Sequence, residues 1–327
     1  METIIYSLIA ISIIGLIISL LSIKLYNTLS GRNLILDAID RYRFSKLSLK
    51  EASQQWTSNT NRSEIVICLS TIPSRIHHLT PTLISLLAQK KAPKTIRLHI
   101  PYHSKREKTD YKIPQEFIDV PGITIIRCED YGPATKFMSA VEECTPKQPL
   151  LILDDDYLYP PNFVERYDTI HQNHPDIIIS SSGWLIPDDL IERPTTLWSN
   201  LRSIPPTPML CPRLKKPVEV DIIEGYSGYL IQPRFFDKES LKDYSNAPKN
   251  AFFVDDIWIS GHAKVSKWIF PEKRFCFEVK NANALYRASS LGIINKKGQG
   301  YPRNNTQVVQ YFKNRWLFNQ KTTPHAH

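Results

Sequence analysis

Cysteine is scarce and carries no pairing pattern. The chain of 327 residues holds five, at Cys68, Cys128, Cys144, Cys211 and Cys276, an odd number without a single CxxC spacing. This excludes a disulfide framework and a structural zinc site as sources of stability. Cys68 and Cys128 lie inside apolar runs, where a free thiol behaves as a small hydrophobe, as in a reducing compartment. There is no internal repeat and no low-complexity tract, which removes solenoid and repeat-array readings. Charge is missing altogether from Ile4 to Ile23, IIYSLIAISIIGLIISLLSI, and no basic side chain precedes that run. Its 20 residues would span about 30 Å as a helix, the thickness of a bilayer core. A signal peptide would want a basic start, a shorter apolar run and a small-residue cleavage site. Here Glu2 precedes the run and Lys24-Leu25-Tyr26 follows it. The expectation is a single membrane anchor, residues 1–25.

Acidic residues are in deficit. Lys and Arg total 41 against 32 Asp and Glu, a net charge of +9, which suits an anionic partner such as a nucleotide or a membrane surface. Nucleic-acid binding would rest on this charge alone and is not expected. Lys24, Arg32, Arg41 and Arg43 follow the apolar run, whereas only Glu2 and the terminal amine precede it. The positive-inside rule then puts the rest of the chain in the cytoplasm, with a type II Golgi-lumenal orientation as the alternative. Asn61 and Asn304 head N-x-S/T sequons, which matter only in the lumenal case. Hydrophobic content of 42% is that of a globular chain.

Residues 26–63 read as a stem or linker ending in the polar SNTNRS, residues 64–290 as the folded domain and 291–327 as a basic tail. Within the domain, short β-branched runs alternate with helical periodicity. Strands are expected at Glu64–Thr71, Thr95–Pro101, Ile123–Cys128, Leu150–Leu153 and Asp176–Ser182. Helices are expected at Leu79–Gln89, Pro133–Cys144 and Asn162–Gln172. The alternation predicts an α/β fold with a mostly parallel sheet and helices on both faces. Val218–Pro233 reads as two strands around a glycine turn, and Val254–Lys267 as a helix with acids in its first turn.

Four stretches carry chemistry. LLILDDDYLYPP, Leu150–Pro161, drives Asp154, Asp155 and Asp156 off the end of a buried strand. Like charges there are costly without a cation. Alternation along an extended chain would point Asp154 and Asp156 the same way, an oxygen pair suited to Mg²⁺ or Mn²⁺. EDYGPATKF, Glu129–Phe137, offers a turn at Gly132, a helix opened by Pro133 and Lys136 in its first turn, an anion site. STIPSR, Ser70–Arg75, adds hydroxyls and a guanidinium suited to phosphate. Asp255-Asp256 supplies a general base if it faces a cleft, or a helix cap if it does not.

Taken in order, TIPSRI, DYGPATK, LDDDYLYP and DDIWISG resemble bacterial glycosyltransferases of the GT-A superfamily, near its family-2-like group, over about Glu64–Glu278. The resemblance implies a GT-A, Rossmann-like fold that transfers a sugar from a nucleotide-diphosphate donor to a hydroxyl of a glycan or lipid-linked saccharide, as in polysaccharide biosynthesis, with Mn²⁺ or Mg²⁺ as cofactor. Residue by residue, it implies that Thr71, Pro73 and Arg75 line the nucleotide pocket. Asp130, Gly132 and Lys136 would border the nucleotide and its phosphates, with Asp154 and Asp155 on the donor side. Asp154 and Asp156 would bind the metal, Gly225, Gly228 and Tyr229 would lie toward the acceptor, and Asp256, with Asp255 open as its rival, would be the base. The family's pair is more often Glu-Asp. His262, on the same helix, is expected as a partly exposed surface histidine rather than a metal ligand. A single displacement would invert the anomeric centre, although one sequence leaves retention open. Two other readings stand beside this one. A haloacid-dehalogenase-type phosphatase would want Thr or Val where Leu158 stands, and an anchored glycan- or nucleotide-binding protein would keep the fold without the activity.

Overall fold

A computed structural model describes residues 2–286 and 303–317. The core is an eight-stranded sheet made of β1 (Val66–Ser70), β2 (Thr95–Pro101), β3 (Ile123–Cys128), β4 (Leu150–Ile152), β5 (Ile178–Ser180), β6 (Val218–Glu219), β7 (Tyr229–Ile231) and β8 (Lys267–Ile269). Their spatial order is β6-β8-β5-β7-β4-β1-β2-β3. The block β3-β2-β1-β4 is parallel throughout, and β8 is parallel to β5. β7 runs antiparallel between β4 and β5, and β6 runs antiparallel at the edge. The α/β class with a parallel-rich sheet is therefore the observed one. β1 and β4 are apolar throughout apart from Ser70, because a strand covered on both faces has no solvent side to make polar.

Helices fall close to the expected windows. Thr80–Leu87, Thr135–Glu143 and Phe163–Asn173 join the parallel strands. Pro133 opens not the α-helix itself but a 3₁₀ turn, Gly132–Ala134, that leads into it. Val218–Pro233 breaks into three short strands rather than two. Ile222–Ile223 leaves the main sheet and joins a three-stranded one with Ser182–Trp184 and Met209–Leu210.

The segment expected as a stem is folded. Leu34–Ser45 and Leu49–Ser58 are helices, the second started by a capping box between Ser48 and Glu51. Phe44, Leu49 and Ala52 belong to the hydrophobic core, and the second helix packs on Thr80–Leu87. The SNTNRS polarity misled because Trp56 and Arg62 stack on each other while anchoring to backbone carbonyls: Trp56 Nε1 donates to the carbonyl of Pro93 at 2.9 Å. Part of the expected tail is folded as well. Asn304–Tyr311 forms a helix against Asp255–His262, with Trp316 and Phe312 buried beside it. Residues 287–302 and 318–327 of the expected domain end and tail lie outside the described residues.

Among the described residues one helix, Glu2–Ser30, is long and apolar enough to cross a membrane. Its apolar stretch is not buried against the domain.

Candidate active site

The loops that leave the carboxyl ends of the parallel strands surround a cavity of about 550 Å³, where open α/β sheets place their ligands. β1 delivers Ser70, Thr71 and Arg75, β3 delivers Asp130 and Gly132, β4 delivers Asp154, Asp155 and Asp156, and the helix Asp255–His262 delivers its two leading aspartates.

The triplet does not alternate as an extended chain would. β4 ends at Ile152, and Asp155 and Asp156 form a turn. The three carboxylates therefore part company. Asp154 Oδ1 lies 2.6 Å from Lys136 Nζ. Asp155 accepts from Thr71 Oγ1 at 2.6 Å and from Arg75 Nη1 at 3.2 Å. Asp156 lies 3.6 Å from the same guanidinium. Asp154 and Asp156 both line the cavity, but through a turn rather than by strand alternation, the first paired with Lys136 and the last beside Arg75. Burial, with Asp155 and Asp154 beside it, pushes the Asp156 carboxyl up to about 8 against the opposing pull of Arg75. Burial raises Asp155 as well, while Arg75 and Thr71 hold it down.

Lys136 occupies the first turn of its helix as expected, yet its ammonium faces carboxylates rather than open cavity. Besides Asp154 it pairs with Asp255 Oδ2 at 2.9 Å. Burial alone would lower its pKa, but Asp154 and then Asp255 outweigh this and hold it well above the ordinary lysine value. Asp255 does not cap the helix it begins. The helix has no side-chain cap, and the carboxylate serves Lys136 instead. Asp256 turns the other way, accepting from the Gly225 N–H at 2.9 Å. Burial and then Asp255 raise its carboxyl well above the usual range, with Lys136 opposing.

Asp130 is fully engaged: its oxygens accept from the Lys105 and Gly132 N–H groups, each at 2.6 Å. Gly132 has φ +62°, which makes glycine the fitting residue there. Of the expected residues, Pro73 does not line the cavity. Gly228 and Tyr229 are also inside the core, not on an acceptor surface. A Cβ on Gly228, whose φ is +85°, would meet Leu153 and Phe163, and Tyr229 is wholly buried in β7. Gly225 is at the site by proximity: a Cβ there would come 2.6 Å from Lys136 Nζ. His262 is half-buried between Trp258 and Phe312, away from the cavity, with burial and then Arg315 lowering its pKa to about 4.

Several lining residues were missed. Arg106 faces the cavity from the SKREK loop, with its pKa lowered by burial and then by Arg75. Trp184 and Glu224 come from the three-stranded sheet and the residue that follows it, and Asn305 from the helix of the tail, whereas Tyr226, which also lines the cavity, lies within the Gly225–Tyr229 stretch expected toward the acceptor. Only the basic loop around Arg106 left a trace in the sequence. The rest depend on which strands pair.

Asp154, Asp155 and Asp156 bring hard carboxylate oxygens to the cavity. Among the described residues no three His, Cys, Asp or Glu side chains are grouped so that they could hold a metal ion by themselves. The protein's share would be one or two carboxylates, with water and phosphate completing the shell, the usual arrangement for Mg²⁺.

No family model and no curated protein matches the chain. Among solved structures, S. aureus TarS 1-349 aligns at 10% identity and a TM-score of 0.38, over 77% of this chain and 71% of that one. Its complex with UDP-GlcNAc aligns at 10% identity and a TM-score of 0.39, over 77% and 72%. Its complex with UDP gives 11% and 0.38, over 77% and 71%.

Proposed function

We propose that this protein is a membrane-anchored glycosyltransferase that moves a sugar from a nucleotide diphosphate to an acceptor hydroxyl. The observation that carries the reading is one cavity at the carboxyl ends of the parallel strands, lined by two guanidinium groups, three aspartates of one turn and a second aspartate pair on a helix. Each of the four sequence motifs resembling GT-A enzymes sends residues into that cavity.

Arg75 and Arg106 would bind the diphosphate and stabilise the charge that develops when the glycosidic bond to phosphate breaks. A divalent cation held by Asp156, with Asp154 or Asp155, would add Lewis-acid stabilisation of that leaving group. Thr71 orients Asp155 from beneath. Lys136 ties Asp154 to Asp255, which holds the donor side and the helix of the acidic pair in one frame. Asp256 would take the proton from the acceptor hydroxyl, its orientation set by the Gly225 N–H. A single displacement with this base inverts the anomeric carbon. The helix Glu2–Ser30 would be the anchor, with the basic residues after it keeping the domain in the cytoplasm.

Hydrolysis of UDP-, GDP- and dTDP-sugars by the full-length protein, with Mn²⁺ and after chelation, tests the reading. Metal-dependent cleavage of one donor class is the expected result. Binding of a nucleotide without cleavage or transfer of any donor would favour a binding protein, and cleavage of simple phosphate monoesters would favour a phosphatase.

A further inference from the structure

The helix Leu34–Ser45 is amphipathic inside out. Its charged face is turned inward: Asp37 and Asp40 are buried and pair with Arg274 Nη2 at 3.5 and 2.7 Å, and Arg32 Nε meets Asp37 at 2.9 Å. Its outward stripe is apolar: Ile35, Ile39 and Tyr42, spaced i, i+4, i+7, are 56%, 55% and 66% exposed. A soluble surface helix shows the reverse pattern. The ion pairs to Arg274 fix the rotation, so the helix cannot roll its apolar stripe into the domain.

Its position says what covers the stripe. The helix begins just after Ser30, the last residue of the apolar helix. Ser30 lies about 10 Å along the axis beyond Ile23, where the uncharged run ends, which places it at the outer edge of a headgroup layer about 5–8 Å deep. A second apolar surface adjoins the same point. Gly31 packs on Leu210 and Pro212, and Arg213 donates to the Asn200 carbonyl at 2.6 Å. That bond holds the turn-like helix Leu197–Arg202, whose Leu197, Trp198 and Leu201 are 70%, 57% and 54% exposed. Exposed basic residues flank both surfaces, Arg43 and Lys46 on one and Arg202 on the other. Aromatic rings over an apolar stripe with basic neighbours are the composition of a membrane interface.

We propose that the domain lies on the bilayer through these two surfaces, the outward stripe of Leu34–Ser45 and the Leu197–Leu201 patch, in contact with acyl chains and anionic headgroups. This rests on the reading of Glu2–Ser30 as an anchor. It deepens the proposed function, because Met209–Leu210, the strand next to the anchor's end, pairs with Ser182–Trp184, and Trp184 lines the cavity. The cavity wall is then one strand from the membrane, which favours an acceptor carried on a lipid.

Full-length protein reconstituted with phosphatidylcholine–phosphatidylglycerol vesicles tests this by tryptophan fluorescence, with brominated acyl chains as the quencher. Trp198 should be quenched, so Trp198→Phe should remove a brominated-lipid-dependent component of the emission. Ile39→Trp should add a second quenched emitter. Co-flotation of the protein with vesicles is measured in parallel. Co-flotation with unchanged quenching in Trp198→Phe and an unquenched tryptophan at 39 overturns the inference and leaves the anchor standing. The same pattern with Ile39→Cys copies forming disulfide-linked dimers overturns it in favour of a second chain as the cover. Failure to co-float at all removes the anchor and this inference together.

Discussion

The turn at Asp154–Asp156 and the helix start at Asp255–Asp256 are both acid clusters on the wall of one cavity, and they are compensated differently. The helix pair is compensated from within the protein, by the buried ammonium of Lys136 and the Gly225 N–H. The turn has Arg75 for two carboxylates and shares Lys136 for the third, and Asp156 is left raised to about 8. Burial raises a carboxyl in each cluster, Asp156 in the turn and Asp256 in the helix pair. The clusters differ in their partners: the Arg75 guanidinium serves the turn, and the Lys136 ammonium with a backbone N–H serves the helix pair. The two clusters are coupled, since Lys136 touches both.

Removing the base function should give the largest effect. Asp256→Asn keeps the shape and still accepts from Gly225, yet cannot take a proton. Single-turnover transfer should fall about 10²–10⁴-fold with donor affinity nearly unchanged. Asp255→Asn should weaken transfer through Lys136 and also disturb donor binding, since its carboxylate holds that lysine. If Asp255→Asn alone abolishes transfer while Asp256→Asn transfers normally, the roles are reversed.

Breaking the link between the clusters comes next. Lys136→Met leaves Asp154 and Asp255 facing each other without their shared cation. Removing one partner of a buried pair costs about 3–5 kcal/mol, so denaturant unfolding should show a large loss of stability. A stability equal to wild type would mean that the two clusters are independent.

The turn should respond in the opposite sense. Asp156→Ala relieves repulsion, so the metal-free protein should be as stable as wild type or more so. Its Mn²⁺-dependent affinity for a nucleoside diphosphate should nevertheless fall at least about tenfold, ~1.4 kcal/mol. Calorimetry and thermal unfolding with and without Mn²⁺ read both. Unchanged affinity would remove Asp156 from the metal site. The smallest effect is expected outside both clusters: His262→Phe keeps the packing against Trp258 and Phe312 and should change stability by about 1 kcal/mol or less with transfer unaffected.

The long periodic elements were legible because their signals are local. β2 and β3 fall on the expected residues, and the apolar helix, the parallel-rich sheet and the gathering of Thr71, Arg75, Asp130, Lys136, the triplet and the acidic pair around one cavity follow from strand ends that open toward the same edge. The folded helices between the anchor and β1 were not legible. Their charged residues read as solvent-facing until Arg274, far along the chain, is seen to turn Asp37 and Asp40 inward.

By itself, then, the sequence determined which residues are apolar enough to be buried, where strands end, and which side chains can carry proton or phosphate chemistry. These depend on composition and on spacing of a few residues. Tertiary structure alone decided which acid meets which base: Lys136 with Asp255 across 119 positions, as the two residue numbers show, Arg75 with Asp155 and Asp156, and Gly225 with Asp256. Such pairings depend on strand order and on turns that break alternation, and no local pattern encodes them. The antiparallel insertion of β7 put Gly225 beside the acidic helix and buried Tyr229.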